Sequence, residues 1–303
     1  MHQPPFLKNN DRVAIVATAK NFEQQDLRIG IDMLKSWGLE VVLGKNIYNK
    51  FHQFAGTDGE RLADLQAALD DPSIKAIFCA RGGYGTARII DEVNFANFLM
   101  YPKWVIGFSD ITVLHCHLNN LGFQTIHSTM PSLFGRPGYE KSVEELHTLL
   151  FGSVPEIEIP ISALQKNGYA EGNLVGGNLT ILHTIIGTNS EISFDNKILF
   201  IEDISENLYH HDRMLVHFKR LGKLKNLAGL LVGHFTDMKD NDVAFGKDAY
   251  EIIAETVSDY NYPVAYNFPV GHEAINLPVI CGKMAKLNVS ETSVILDYQN
   301  HIA

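Results

Sequence analysis

In the first 130 residues, short and almost wholly apolar runs alternate with longer amphipathic stretches. The runs are Arg12–Ala17, Glu40–Leu43, Ile74–Cys79, Trp104–Ile106 and Gln124–Ile126. A strand that is apolar on both faces must be covered on both faces. A helix between consecutive strands is the connection that parallel pairing requires. The alternation therefore predicts a parallel sheet with helices on either side. Helices are predicted over residues 22–37, ended by Gly38, over 58–69, stopped by Asp70-Asp71-Pro72, and over 111–121.

The rhythm changes further on. Residues 156–168, with Pro155 before them and Pro160 inside, read as a linker between a first domain of residues 1–155 and a second of 169–303. Past it, Gly176-Gly177-Asn178-Leu179 opens a helix, Lys197–Ile201 reads as a strand and Tyr209–Leu221 as a long helix. Ala228–Val232 and Val264–Tyr266 add strands. Residues 279–296 alternate around Glu291-Thr292 as an antiparallel hairpin would. The second domain is expected to be a mixed, barrel-like sheet.

A formal charge of −10 offers no basic footprint, so neither nucleic acid nor an anionic membrane is an expected partner. No apolar run approaches the roughly 18 residues of a membrane span, and the first residues lack a secretory pattern. Three scattered cysteines in apolar contexts suggest reduced thiols, so a cytoplasmic location is expected.

The candidate chemistry starts at Gly107-Phe108-Ser109-Asp110, where a strand meets a helix. Such a turn lifts a serine hydroxyl from the sheet edge and aims the first helical N–H groups at what it attacks. The alternative is that Ser109 or Asp110 merely caps the helix. A second loop, Arg81-Gly82-Gly83-Tyr84-Gly85, leaves the same sheet edge. Its glycines suit an oxyanion-hole donor better than a nucleotide phosphate, because the G-x-G-x-x-G spacing is absent.

A serine nucleophile needs a base and a group to hold that base. Of 13 histidines, His272 stands on the loop Pro269-Val270-Gly271-His272-Glu273, free to cross a domain cleft. His115 and His117 share the serine helix but face different ways, so one is expected packed and the other solvated. Glu202 ends the apolar strand Ile198-Leu199-Phe200-Ile201 and would need a partner at the sheet rim. His272 is one choice; a salt bridge from Arg213 is the alternative for Glu202 or Asp203. Cys79 is a rival nucleophile, although its strand suggests a packed thiol. No metal-ligand spacing occurs, and no metal or other cofactor is expected.

Taken in order, Arg81-Gly82-Gly83-Tyr84-Gly85, Gly107-Phe108-Ser109-Asp110, Gly177-Asn178-Leu179, Ile201-Glu202-Asp203 and Gly271-His272-Glu273 resemble the LD-carboxypeptidases. That serine peptidase family includes the microcin C self-immunity peptidases. The resemblance implies Ser109 as nucleophile, His272 as general base and Glu202 as its orienting group. It also implies an oxyanion hole from the Gly83 and Asp110 N–H groups. It implies an α/β fold: a flavodoxin- or amidotransferase-like parallel-sheet domain followed by a C-terminal β-barrel-like domain, with the site between them. The implied substrate is a murein tetrapeptide losing its terminal D-alanine, and the implied assembly is a homodimer. Arg81, His127 and Ser128 are the expected grip on the terminal carboxylate. Ile126-His127-Ser128-Thr129-Met130 departs from the His-Gly-Pro-Met of many relatives. Between Ala228 and Asp248 the chain offers only Phe235 and Phe245 to stack a base, which favours the murein peptide over a peptidyl-nucleotide. A non-catalytic module that holds a small ligand in the cleft is the rival from another class.

Overall fold

The structure is a computed structural model that describes residues 1–298. In chain order its strands are β1 (Arg12–Val16), β2 (Glu40–Leu43), β3 (Ile74–Cys79), β4 (Trp104–Gly107), β5 (Thr125–His127), β6 (Ile157–Ile159) and β7 (Gly168–Asn178). They continue with β8 (Ile198–Ile204), β9 (Gly229–Thr236), β10 (Val264–Ala265), β11 (Val279–Cys281), β12 (Met284–Val289) and β13 (Val294–Tyr298).

The first five strands pair in parallel in the order β2-β1-β3-β4-β5. This is the flavodoxin-like order, in which ligands bind outside the carboxyl ends of the strands. β4 is completely buried, and β3 is buried at every residue but Lys75, as their apolar residues require. The sheet gains a sixth strand from far along the chain: β11 pairs antiparallel with β5, Val279 opposite His127 and Cys281 opposite Thr125.

The second sheet runs β10-β9-β8-β7-β12-β13-β6, parallel from β7 to β10 and antiparallel from β7 through β12 and β13 to β6. It curls strongly. A methyl group added to Gly229 of β9 would lie 3.0 Å from Leu287 of β12, although β8 and β7 separate these strands in the sheet order. A lone bridge between Lys166 and Val264 ties the chain just before β7 to β10.

Two sequence expectations change here. Residues 156–168 are not a bare crossing, because Ile157–Ile159 forms β6 and pairs with β13. The expected hairpin is β12–β13 alone, since β11 departs to the other sheet. One apolar core runs through both halves, joining Val105, Ile111 and Val113 to Leu179, Val232 and Phe218. Each such buried side chain contributes about 1.5–3 kcal/mol. Among the described residues no helix is long and apolar enough to cross a membrane.

Candidate active site

β4 ends at Gly107, and the chain turns so sharply that Ser109 takes φ +64°, a left-handed conformation costly for a residue with a Cβ. A short turn, Ser109–Ile111, leads into the helix Thr112–Asn120, and no side chain caps either start. The Ser109 hydroxyl is therefore not used as a cap. Asp110 is buried and accepts the Thr86 N–H at 2.8 Å; burial raises its pKa. His115 pins the turn from beneath: Nε2 donates to the Gly107 carbonyl at 2.8 Å, and Nδ1 accepts from Thr125 Oγ1 at 2.9 Å. Burial pushes its pKa down to about 4, so it is a neutral, structural histidine. His117 is only partly buried.

On the other sheet, β8 carries Glu202 into the interior, where it is fully buried. The pairing with β9 slips at this point. Ile201 faces Val232 and Asp203 faces Phe235, so Glu202 alone spans Gly233 and His234. A bulge of this kind re-aims a side chain beside an active site. Glu202 Oε2 lies 2.6 Å from His272 Nδ1, and His272 Nε2 lies 3.0 Å from Ser109 Oγ. With a carboxylate on one nitrogen, Nδ1 donates and Nε2 is left to accept the serine proton. Burial alone would lower the His272 pKa. The adjacent Glu202 carboxylate, helped by Asp203 and Glu273, overrides burial and raises it above the usual imidazole value.

Asp203 does not pair with Arg213, which packs over Tyr209. Its oxygens take bonds from Asn178 Nδ2 (2.9 Å), the Thr180 N–H (3.0 Å) and the Thr180 hydroxyl (2.8 Å). Burial, then the neighbouring Glu202 charge, push its pKa up to about 6. The same corner holds the two sheets together. The Asn178 N–H donates to Thr112 Oγ1 of the serine helix at 3.1 Å. Gly177 (φ +141°) leaves room for Thr112, whose Oγ1 would lie 2.4 Å from an added methyl. This is the physical use of the Gly177-Asn178 motif.

The His272 loop has an anchor that sequence reading passed over. Asn276 is fully buried; its Oδ1 accepts the Gly271 N–H at 3.0 Å, and its own N–H donates to Ser142 Oγ at 2.8 Å. A short amide a few residues past the histidine, between apolar neighbours, was the available signal.

The glycine loop lies beside the serine. A methyl group on Gly82 would sit 3.2 Å from Ser109 Oγ. The Gly83 N–H has no acceptor among the described residues. The Asp110 N–H precedes the first donor of its turn, Ile111, which bonds the Phe108 carbonyl. Of the expected carboxylate grip, Arg81 is partly exposed, whereas His127 and Ser128 are completely buried. The His127 ring is enclosed by Phe108 and Phe200, and burial holds its pKa far down. His127 and Ser128 thus lie beneath the site and do not line it. Cys79 is fully buried with its thiol pushed up to about 12, which removes it as a nucleophile.

Residues 13–128 match the LD-carboxypeptidase N-terminal domain and residues 171–287 the LD-carboxypeptidase C-terminal domain. The chain belongs to the LD-carboxypeptidase family. It is 34% identical to the probable murein peptide carboxypeptidase of Bacillus subtilis, over 98% of this chain and 94% of that one. It is 30% identical to the murein tetrapeptide carboxypeptidase of Pseudomonas aeruginosa, over 91% and 92%. The crystal structure of muramoyltetrapeptide carboxypeptidase from Oxalobacter formigenes superposes with a TM-score of 0.84 at 29% identity, covering 96% of this chain and 100% of that one. The microcin C7 self immunity protein MccF reaches 0.87 at 19% identity, covering 98% of each, a likeness of fold alone.

Two expectations follow for this LD-carboxypeptidase. Replacing Asn276 by alanine frees the Gly271 N–H and loosens the His272 loop. Turnover should fall about tenfold, the worth of one buried hydrogen bond, with KM nearly unchanged. Steady-state kinetics beside a thermal melt checks this. Cys79→Ala should keep wild-type turnover, and an inactive but folded Cys79→Ala would restore the thiol to the chemistry.

Proposed function

We propose that this LD-carboxypeptidase is a serine peptidase that releases terminal D-alanine from murein tetrapeptide during cell-wall recycling, as a cytoplasmic homodimer. The observation that carries the mechanism is the hydrogen-bonded line Ser109–His272–Glu202, drawn from both halves of the chain. The names of its relatives support the substrate, three buried free cysteines fit a reducing compartment, and the family resemblance supports the dimer.

Ser109 Oγ attacks the carbonyl carbon of the L-to-D amide while His272 Nε2 takes the hydroxyl proton. Glu202 holds the Nδ1–H tautomer and stabilises the imidazolium. The Gly83 and Asp110 N–H groups receive the oxyanion, each such donor being worth about a hundredfold or more in rate. As the C–N bond breaks, the imidazolium returns its proton to the leaving D-alanine amine. Water, deprotonated by His272, then hydrolyses the ester and restores Ser109. The test is D-alanine release from L-Ala-γ-D-Glu-meso-diaminopimelate-D-Ala by the purified protein. Absence of release, with hydrolysis of a peptidyl-nucleotide in its place, would move the substrate assignment. Absence of both would favour a ligand-holding module.

A further inference from the structure

We infer that Lys20 receives the terminal carboxylate of the leaving D-amino acid, and so sets the preference for a free C-terminus. The inference rests on the roles of Ser109 and Gly83 proposed above. Lys20 lies in the loop after β1, at the sheet edge where the Arg81–Gly85 loop leaves β3 and Ser109 leaves β4. Its N–H donates to the Gly82 carbonyl at 3.3 Å. Its side-chain stem runs along Gly83: a methyl group there would lie 2.6 Å from Lys20 Cβ and 3.4 Å from Cδ. Gly83 accordingly needs both its positive φ of +117° and its missing side chain. The next residue back, Gly82, packs on Ser109. Lys20 is thus separated from the nucleophile by one turn of glycine backbone.

The head of this side chain is uncommitted. Lys20 is exposed, and its ammonium has neither a hydrogen-bond nor a carboxylate partner among the described residues. Of the nearby cations, buried Arg61 and exposed Arg88 are both taken by Asp58 and pack over Phe54, which leaves Lys20 and the partly exposed Arg81 without an ion-pair partner among the described residues. A lysine that lays its stem on a glycine loop and keeps its ammonium in water is placed to meet an incoming anion.

Amide geometry favours the carboxylate of the leaving residue. In a trans amide the carbonyl oxygen and the Cα bonded to nitrogen lie on the same side of the C–N bond. With that oxygen held by the Gly83 N–H, the leaving residue's Cα lies on the Gly83 side, where the Lys20 stem runs. The remaining carboxylates of a murein peptide, on glutamate and on the diaminopimelate side chain, belong to the acyl half and sit several bonds from the scissile carbonyl.

The experiment compares L-Ala-γ-D-Glu-meso-diaminopimelate-D-Ala with its C-terminal amide, using wild type, Lys20→Met, Lys20→Arg and Arg81→Met. Hydrogen bonds to charged groups imply that Lys20→Met should lower kcat/KM for the acid by about ten- to a hundredfold, mainly through KM. It should leave the amide little changed, so the acid-over-amide preference collapses. Lys20→Arg should retain much of that preference, and thermal unfolding should be unaltered in all three variants. An undiminished preference in Lys20→Met, or an equal loss on acid and amide, overturns the inference alone. Collapse of the preference in Arg81→Met and not in Lys20→Met assigns the carboxylate to Arg81 and also overturns it. No release from either peptide by wild type overturns the murein reading itself, and the inference with it.

Discussion

Ser109→Ala is expected to abolish D-alanine release while the protein still folds. The hydroxyl makes no cap, and its one described partner is His272 Nε2. Its removal deletes the nucleophile and leaves the turn, the helix and the sheet junction in place. The loss should be roughly a thousandfold or more, the scale seen when a nucleophile is deleted from a hydrogen-bonded triad. His272→Ala should fall by a similar factor. The double variant should be no worse than either single one, because nucleophile and base act as a unit. Additive losses would mean that the two side chains work independently, contrary to the 3.0 Å contact between them. Full activity in Ser109→Ala, with a normal melting transition, would reject the covalent mechanism.

Glu202→Gln is expected to cost about a hundredfold or more in kcat and to move the pH profile in a definite direction. Nε2 must be unprotonated to take the serine proton, so activity fails as pH falls through the His272 pKa. In the wild type, burial lowers that pKa, but the Glu202 carboxylate outweighs burial and raises it. The acid limb of kcat/KM should therefore lie above the ordinary imidazole value of about 6.5. Glutamine keeps the shape and removes the charge. The burial effect is then no longer outweighed, and the limb should move to lower pH. Rates measured between about pH 5 and 9 test this. A limb that stays in place, or moves upward, would show that Glu202 does not control the imidazole.

The parts of this protein written in local pattern were legible before any coordinates. Strands β1 to β5 are short apolar runs with helices between them, and that pattern leaves few arrangements open. The strand, turn and helix around Ser109 could be read from Gly107-Phe108-Ser109-Asp110, and the structure brings Glu202 and His272 to it. What escaped was non-local. Nothing in Val279-Ile280-Cys281 says that it pairs with β5 and not with its sequence neighbour β12, since periodicity carries no address. Ile157–Ile159 is too short to stand out between two prolines. The burial of His127 depends on Phe108, just past the end of β4, and on Phe200 inside β8, so a histidine at a strand terminus reads from sequence as a pocket residue. The role of Asn276 depends on a bond to Gly271 within a loop that has no repeating pattern.

The placement of β11 has a consequence for how the protein comes into being. β11 follows His272 closely in the chain, and it docks on β5, whose own last residue, His127, comes only a short way after Ser109. The strand that joins the first sheet and the imidazole that meets its serine thus belong to one short segment of chain. A chain that ends before residue 272 lacks the base, and one that ends before residue 279 also leaves the edge of β5 unpaired. The strand that follows the catalytic base thus also pairs the free edge of β5, leaving β11 and β2 as the outer strands of that sheet.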